Sequence, residues 1–139
     1  MLVPKKVKHR KWQSARRNFS KPKVESRGAT LAFGSYGIKS LAYARITSNQ
    51  IESARKAMSR SIKKTGKIWI RIFPDRPITS KPPEVPMGKG KGDPEGYCFE
   101  VYPGRMLFEI DGVDEATALE CLARASDKLP VKTKVIRRN

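Results

Sequence analysis

Between Phe73 and Tyr97 the chain reads FPDRPITSKPPEVPMGKGKGDPEGY, with proline at positions 74, 77, 82, 83, 86 and 94. Proline has no backbone N–H and a fixed φ, so it breaks helices and is excluded from the middle of a sheet. Glycines 88, 90 and 92 raise the entropy cost of ordering still further. The run predicts a loop over 74–96, with no regular element before about Tyr97. Loops beyond ~15 residues in compact domains are functional or disordered. This one carries the cations Arg76, Lys81, Lys89 and Lys91.

On either side of the loop, patterning predicts regular elements. Residues 28–46 mix short apolar runs with Gly34 and Gly37, which suits one or two short strands or bends. Thr47 and Gln50 have the spacing of a capping box. Ile51, Ala54, Met58 and Ile62 then recur on one helical face, with Lys56, Arg60, Lys63 and Lys64 opposite and Arg55 beside the apolar stripe. Gly66 is expected to end this helix. KIWIRIF (67–73) alternates as a strand, with Ile68, Ile70 and Ile72 on a dry face and Lys67, Trp69, Arg71 and Phe73 on a cationic aromatic face.

After the loop, YCFEVY (97–102) and RMLFEID (105–111) alternate around Pro103-Gly104 and predict a hairpin. A second helix is expected from Asp114 to Lys128, with Ala118, Leu119, Leu122 and Ala125 inward and Glu120, Arg124 and Asp127 outward. Pro130 follows it. VKTKVI (131–136) reads as a last strand. The order predicts an α+β domain over 28–139, a mainly antiparallel sheet with two helices packed on one face. Residues 1–27 form a basic arm before it.

Charge narrows the function. Among 139 residues, 30 Lys and Arg face 13 Asp and Glu, a net charge of +17. Residues 1–92 carry 23 basic and 4 acidic side chains, whereas 93–127 carry 2 and 9. One part of the protein is therefore suited to a polyanion, and another to water. No apolar run approaches the ~18 residues of a spanning helix, so no membrane partner is expected. The arm holds 9 Lys or Arg and no acid in its first 24 residues. Trp12 and Phe19 within it can stack on bases or anchor it to a core.

Catalytic chemistry has little raw material. With one histidine and two distant cysteines, Cys98 and Cys121, neither a metal site, a disulfide framework nor His-based catalysis is indicated, and no cofactor is expected. MGKGKG (87–92) fails as a P-loop because no Gly-Lys precedes Ser or Thr and a strand follows. Its strictly alternating glycines also miss a dinucleotide fingerprint. Glu109, Asp111 and Glu115 read as an acidic exterior. The chain is expected not to be an enzyme. EGYCFEVY (95–102) resembles the aromatic octamer of the RNA recognition motif through Tyr97, Phe99 and Tyr102. It departs from that pattern at Glu95 and Glu100, and in the extra strand that follows.

A longer resemblance runs through MLVPKKVKHRKW (1–12), LAFGSYGIKSL (31–41), ITSNQIESARKAMSR (46–60), GKIWIRIFPDRPIT (66–79), KPPEVPMGKGKGDPE (81–95), PGRMLFEIDGV (103–113) and KLPVKTKVI (128–136). On these stretches the chain resembles the universal L-sixteen family of large-subunit ribosomal proteins, bacterial type. The resemblance implies an α+β hammerhead-type sandwich that serves as a late-joining structural part of the cytoplasmic large subunit. It implies binding to large-subunit rRNA, contacts with neighbouring ribosomal proteins, and a role in shaping the A-site region for aminoacyl-tRNA, near the P site. By position, Lys5, Lys6, Lys8, Arg10 and Lys11 would be arm contacts to rRNA. Gln50, Arg55, Lys56, Arg60, Lys63, Lys64 and Arg71 would be rRNA contacts of the domain. Lys81, Gly88, Lys89, Gly90, Lys91 and Gly92 would form a loop near tRNA and the peptidyl-transferase region. Pro86 stands where the family usually has arginine, and residues 13–26 look like an insertion.

Overall fold

The computed structural model describes all residues except 15–17 and 19. Phe19, expected to anchor the arm, lies outside the described residues. In chain order the elements are β1 (Tyr36–Ser40), β2 (Ala44–Thr47), α1 (Ser48–Ile62), β3 (Lys67–Ile70), β4 (Arg76–Ser80), β5 (Asp93–Val101), β6 (Met106–Asp111), α2 (Glu115–Ser126) and β7 (Thr133–Arg137). The class is α+β, and all pairing is antiparallel. The strands divide between two sheets, in the orders β3-β6-β1-β7 and β2-β5-β4.

Helix α1 forms where local chemistry dictates. The Thr47 hydroxyl accepts from the Gln50 N–H, and the Gln50 side chain accepts from the Thr47 N–H, completing the capping box. Ile51, Ala54, Met58 and Ile62 are buried, and each large apolar side chain buried this way contributes about 1.5–3 kcal/mol. They meet Ala118, Cys121, Leu122 and Ala125 of α2 in one core with Ile38, Phe108 and Ile110. The Cys121 thiol donates to the Met58 carbonyl at 3.4 Å. Burial pushes that thiol up to about 11, so it stays protonated and inert at neutral pH. Leu119, expected inside, is exposed. Positions 118, 121, 122 and 125 complete an i, i+3, i+4, i+7 stripe, and 119 falls one step around the helix from it.

Three expectations about chain breaks are corrected. First, α1 ends at Ile62, and Lys63 turns the chain with φ +60°. Lys63 and Lys64 therefore lie in a turn beyond the helix and not on its basic face. Gly66 serves close packing instead of capping: a Cβ there would press on Ile62 and come within 2.9 Å of Val113. Second, residues 74–96 are not one loop. β4 and β5 pair across it, from Arg76 opposite Cys98 to Ser80 opposite Asp93. Pro77 is tolerated because β4 is an edge strand. Pro94 lies beyond β2, whose pairing with β5 covers only Cys98 to Val101. The shift from Ile78–Gly96 to Thr79–Pro94 leaves Glu95 as the extra residue of a bulge. The irregular segment shrinks to 81–92. Third, β5 and β6 do not form a hairpin. β5 is already flanked by β2 and β4, and β6 by β3 and β1. The turn at Pro103-Gly104, with Gly104 at φ +97°, carries the chain from one sheet to the other. Its Gly104 N–H donates to the Ser40 carbonyl at 2.8 Å.

Candidate nucleic-acid interface

The 81–92 segment and the N-terminal arm, far apart in sequence, lie side by side. The Lys11 ammonium donates to the Lys91 carbonyl at 3.1 Å. The Lys91 ammonium donates back to the Trp12 carbonyl. Arg10 approaches Asp93 at 3.6 Å, with both side chains largely exposed, an ion pair of little stabilising value by itself. Lys81 donates to the Gly88 carbonyl at 2.7 Å and pins the base of the tip. The crossed Lys11 and Lys91 bonds hold two cations together through main-chain carbonyls. Such an arrangement raises local positive potential and favours an anionic partner.

The arm is anchored at two further places. Leu2 packs against the core. The Trp12 ring lies 5.9 Å from the Arg76 guanidinium, and Arg76 is buried and paired with Glu100 at 2.9 Å. Glu100 also accepts from the Tyr43 hydroxyl at 2.9 Å and meets Arg45 at 3.4 Å. Arg76, expected to be a loop cation, is thus a β4 residue with its charge turned inward.

The tip itself is open. Gly88, Lys89 and Gly90 have φ of +93°, +57° and +112°. A side chain at 88 or 90 would meet free space yet sit in a backbone region that disfavours it. Three successive residues with positive φ make the tip a tight, irregular turn. Met87 is 95% exposed, and the Lys89 ammonium has no partner among the described residues. Gly92 is different, because its α-carbon lies against the Ser80 carbonyl and a Cβ would collide with it.

The remaining predicted cations divide by environment. Lys5, Lys6, Lys8 and Arg10 are exposed along the arm, as are Lys56 and Arg60 on α1 and Lys63 and Lys64 in the turn. Gln50 is committed to the cap. Arg55 binds Glu52 through two hydrogen bonds of 3.0 and 2.5 Å, and this pairing holds the Glu52 carboxyl below its ordinary value.

Arg71 is corrected. Its side chain is only 17% exposed and pairs with Glu109, which is 0% exposed. Glu109 is itself a correction to the acidic exterior. Its carboxylate accepts from the backbone N–H groups of Ala32 at 3.0 Å, Phe33 at 2.7 Å and Gly34 at 2.8 Å. Burial favours the neutral acid, but these three N–H groups and Arg71 outweigh it and hold the pKa below normal. Glu109 therefore clamps the 32–34 segment across the outer face of the four-stranded sheet.

The RNA recognition octamer does not survive the geometry. Its strand is β5 of a three-stranded sheet. Phe99 packs against the core, and Tyr102 packs on Tyr43 with ring centroids 5.2 Å apart.

The family model for ribosomal protein L16p/L10e matches residues 4–136. The chain belongs to this family. The large ribosomal subunit protein uL16 of Mycobacterium sp. (strain KMS) is 52% identical over 138 residues, covering 99% of this chain and 97% of the relative. The uL16 protein of Rickettsia massiliae (strain Mtu5) is 54% identical over 138 residues, covering 99% and 98%. The family consists of structural ribosomal proteins and not enzymes, which disposes of the phosphate-cradle chemistry for MGKGKG. Sequence reasoning missed the arm–loop clasp and the anchoring role of Glu100. Asp93, an acid directly after the basic run, was the one available signal for the clasp.

Proposed function

We propose that the chain is a resident structural component of the large ribosomal subunit, in the cytoplasm of a bacterium as its uL16 relatives are. Its arm, the exposed face of α1 and the 81–92 segment neutralise and position large-subunit rRNA. The tip at Gly88–Gly92 helps shape the A-site region that receives aminoacyl-tRNA, and the protein joins the subunit late, beside other large-subunit proteins. The observation that carries this reading is the clasp. Lys11 and Lys91 are held together by main-chain carbonyls, with Asp93 on Arg10 as the one acid paired in the clasp among the described residues, and the whole chain carries +17. Folded RNA supplies the missing negative charge.

No covalent chemistry is required. Lys5, Lys6, Lys8, Arg10, Lys56, Arg60, Lys63, Lys64, Lys67, Lys89 and Lys91 are among the exposed cations offered to phosphates. Arg71 is left out because Glu109 holds it, and Arg55 contributes only what Glu52 leaves. If ~6–8 phosphates are contacted, affinity falls steeply with salt through counterion release. Backbone shape, more than base edges, selects the site on compact RNA. An assembly factor of the same charge would behave differently in one respect. After a high-salt wash and sucrose-gradient separation, a resident protein stays with mature large subunits. Recovery only on precursor particles, or loss into the wash, contradicts residency.

A further inference from the structure

The outer face of the four-stranded sheet carries two aromatic rings that arm, helix and loop do not use. Phe33 and Trp69 lie with ring centroids 6.0 Å apart and planes 17° from parallel, an offset stack. The Arg71 guanidinium sits 5.4 Å from the Phe33 centroid. Even so, Phe33 is 56% exposed. The ring is also held from behind, because buried Glu109 accepts from the Phe33 N–H and from those of both its neighbours in the chain. The same carboxylate fixes Arg71. A large exposed ring with its backbone clamped and a guanidinium over one face is organised before any partner arrives.

Beside the stack lies an open cavity of about 390 Å³ bounded by Phe33, Thr65, Lys67, Trp69, Asp111 and Gly112. That volume falls within the ~300–1,000 Å³ of small-ligand sites. One cation lines it, exposed Lys67, which pairs in register with Asp111 across β3 and β6. Asp111, the acid on this wall, is occupied by the Ser35 hydroxyl at 2.9 Å and the Gly112 N–H at 2.8 Å. A nearly parallel aromatic pair offers a π face, and the ammonium beside it offers a phosphate contact. A nucleotide presents both complements together, whereas an apolar protein side chain has no use for the ammonium.

We propose that Phe33 and Trp69 form a stacking platform for one unpaired nucleobase of the large-subunit rRNA, with Lys67 on the adjoining phosphate. The proposal rests on the rRNA-binding reading above and adds a base contact to its phosphate contacts. Base–aromatic stacking tolerates any base, and losing one such platform costs roughly tenfold in affinity.

The test uses fluorescence of the full chain. Trp12→Phe leaves Trp69 as the single indole of a chain with two tryptophans. This protein is titrated with a single-stranded octaribonucleotide and with an abasic ribose-phosphate octamer of equal charge at one salt concentration. The RNA is expected to quench Trp69, and the abasic strand to bind without quenching. Phe33→Leu, which keeps apolar cover, is expected to weaken RNA binding roughly tenfold while leaving the salt slope unchanged. Equal quenching by both strands overturns the platform, as does RNA binding that leaves Trp69 unquenched. In the latter case the rRNA-binding reading stands, and a neighbouring protein becomes the occupant of this face. Binding of neither strand contradicts both readings at once.

Discussion

Replacing Glu109 by glutamine (Glu109→Gln) is expected to lower the unfolding free energy by about 3–5 kcal/mol, because it removes the fully buried carboxylate that balances the largely buried Arg71 charge. That is a large share of the ~5–15 kcal/mol available to a domain of this size. Urea denaturation of the isolated chain measures it. Three backbone N–H groups also lose their charged acceptor, so Arg71→Met combined with Glu109→Gln recovers only part of the loss. The same group gives a pH dependence with a defined sign. Its folded pKa is depressed, so the unfolded chain binds the proton more readily. The stabilisation is complete above the unfolded value of about 4.3 and disappears as pH falls through the lower folded value. The Glu109→Gln variant should lack this component of acid sensitivity. A loss under about 1 kcal/mol, at the level of an exposed pair, would contradict a buried clamp.

The second large effect is on function and leaves the fold alone. Lys89→Ala combined with Lys91→Ala removes both tip ammonium groups. Neither side chain is in the core, so the urea midpoint should stay close to the parent value. RNA affinity should fall across all sequences alike. The slope of log affinity against log salt should become shallower by about 1.5 units, since each phosphate that a lysine no longer neutralises removes ~0.7–0.9. In cells, tRNA accommodation or late maturation of the large subunit should be impaired. Lys89→Ala alone removes a tip charge and spares the Lys91–Trp12 bond, so it separates the role of the tip from that of the clasp. Parental tRNA binding and parental subunit profiles in the double variant would count against the tip.

What could be read from sequence was whatever local chemistry decides. The Thr47–Gln50 box and the Ile51, Ala54, Met58, Ile62 stripe concern residues within a few turns of each other, and both are observed. Strand partners are another matter. Alternation in 97–102 and 105–111 fits a hairpin as well as two strands in different sheets, and only the occupancy of both edges of β5 and β6 decides. Prolines 77 and 94 argued against strands because the penalty depends on which side carries a neighbour, and that side is a tertiary fact. Glu109 read as exterior because it alternates with apolar residues. Yet β6 is covered on both faces and along both edges, and the cover on one face comes from residues 32–34. Charge and family motifs singled out the basic arm and the loop, but the two meet across some 80 positions of sequence, where no local rule reaches.

In the proposed function the clasped arm and loop, with the exposed α1 face, are the side offered to rRNA. Crosslinking of purified large subunits, mapped by peptide, tests this most directly. RNA crosslinks are expected in residues 1–14 and 81–92 and around Lys56 and Arg60, with few on the α2 surface that carries Glu115 and Glu120. Crosslinks concentrated on α2, with arm and loop free of them, would contradict that orientation.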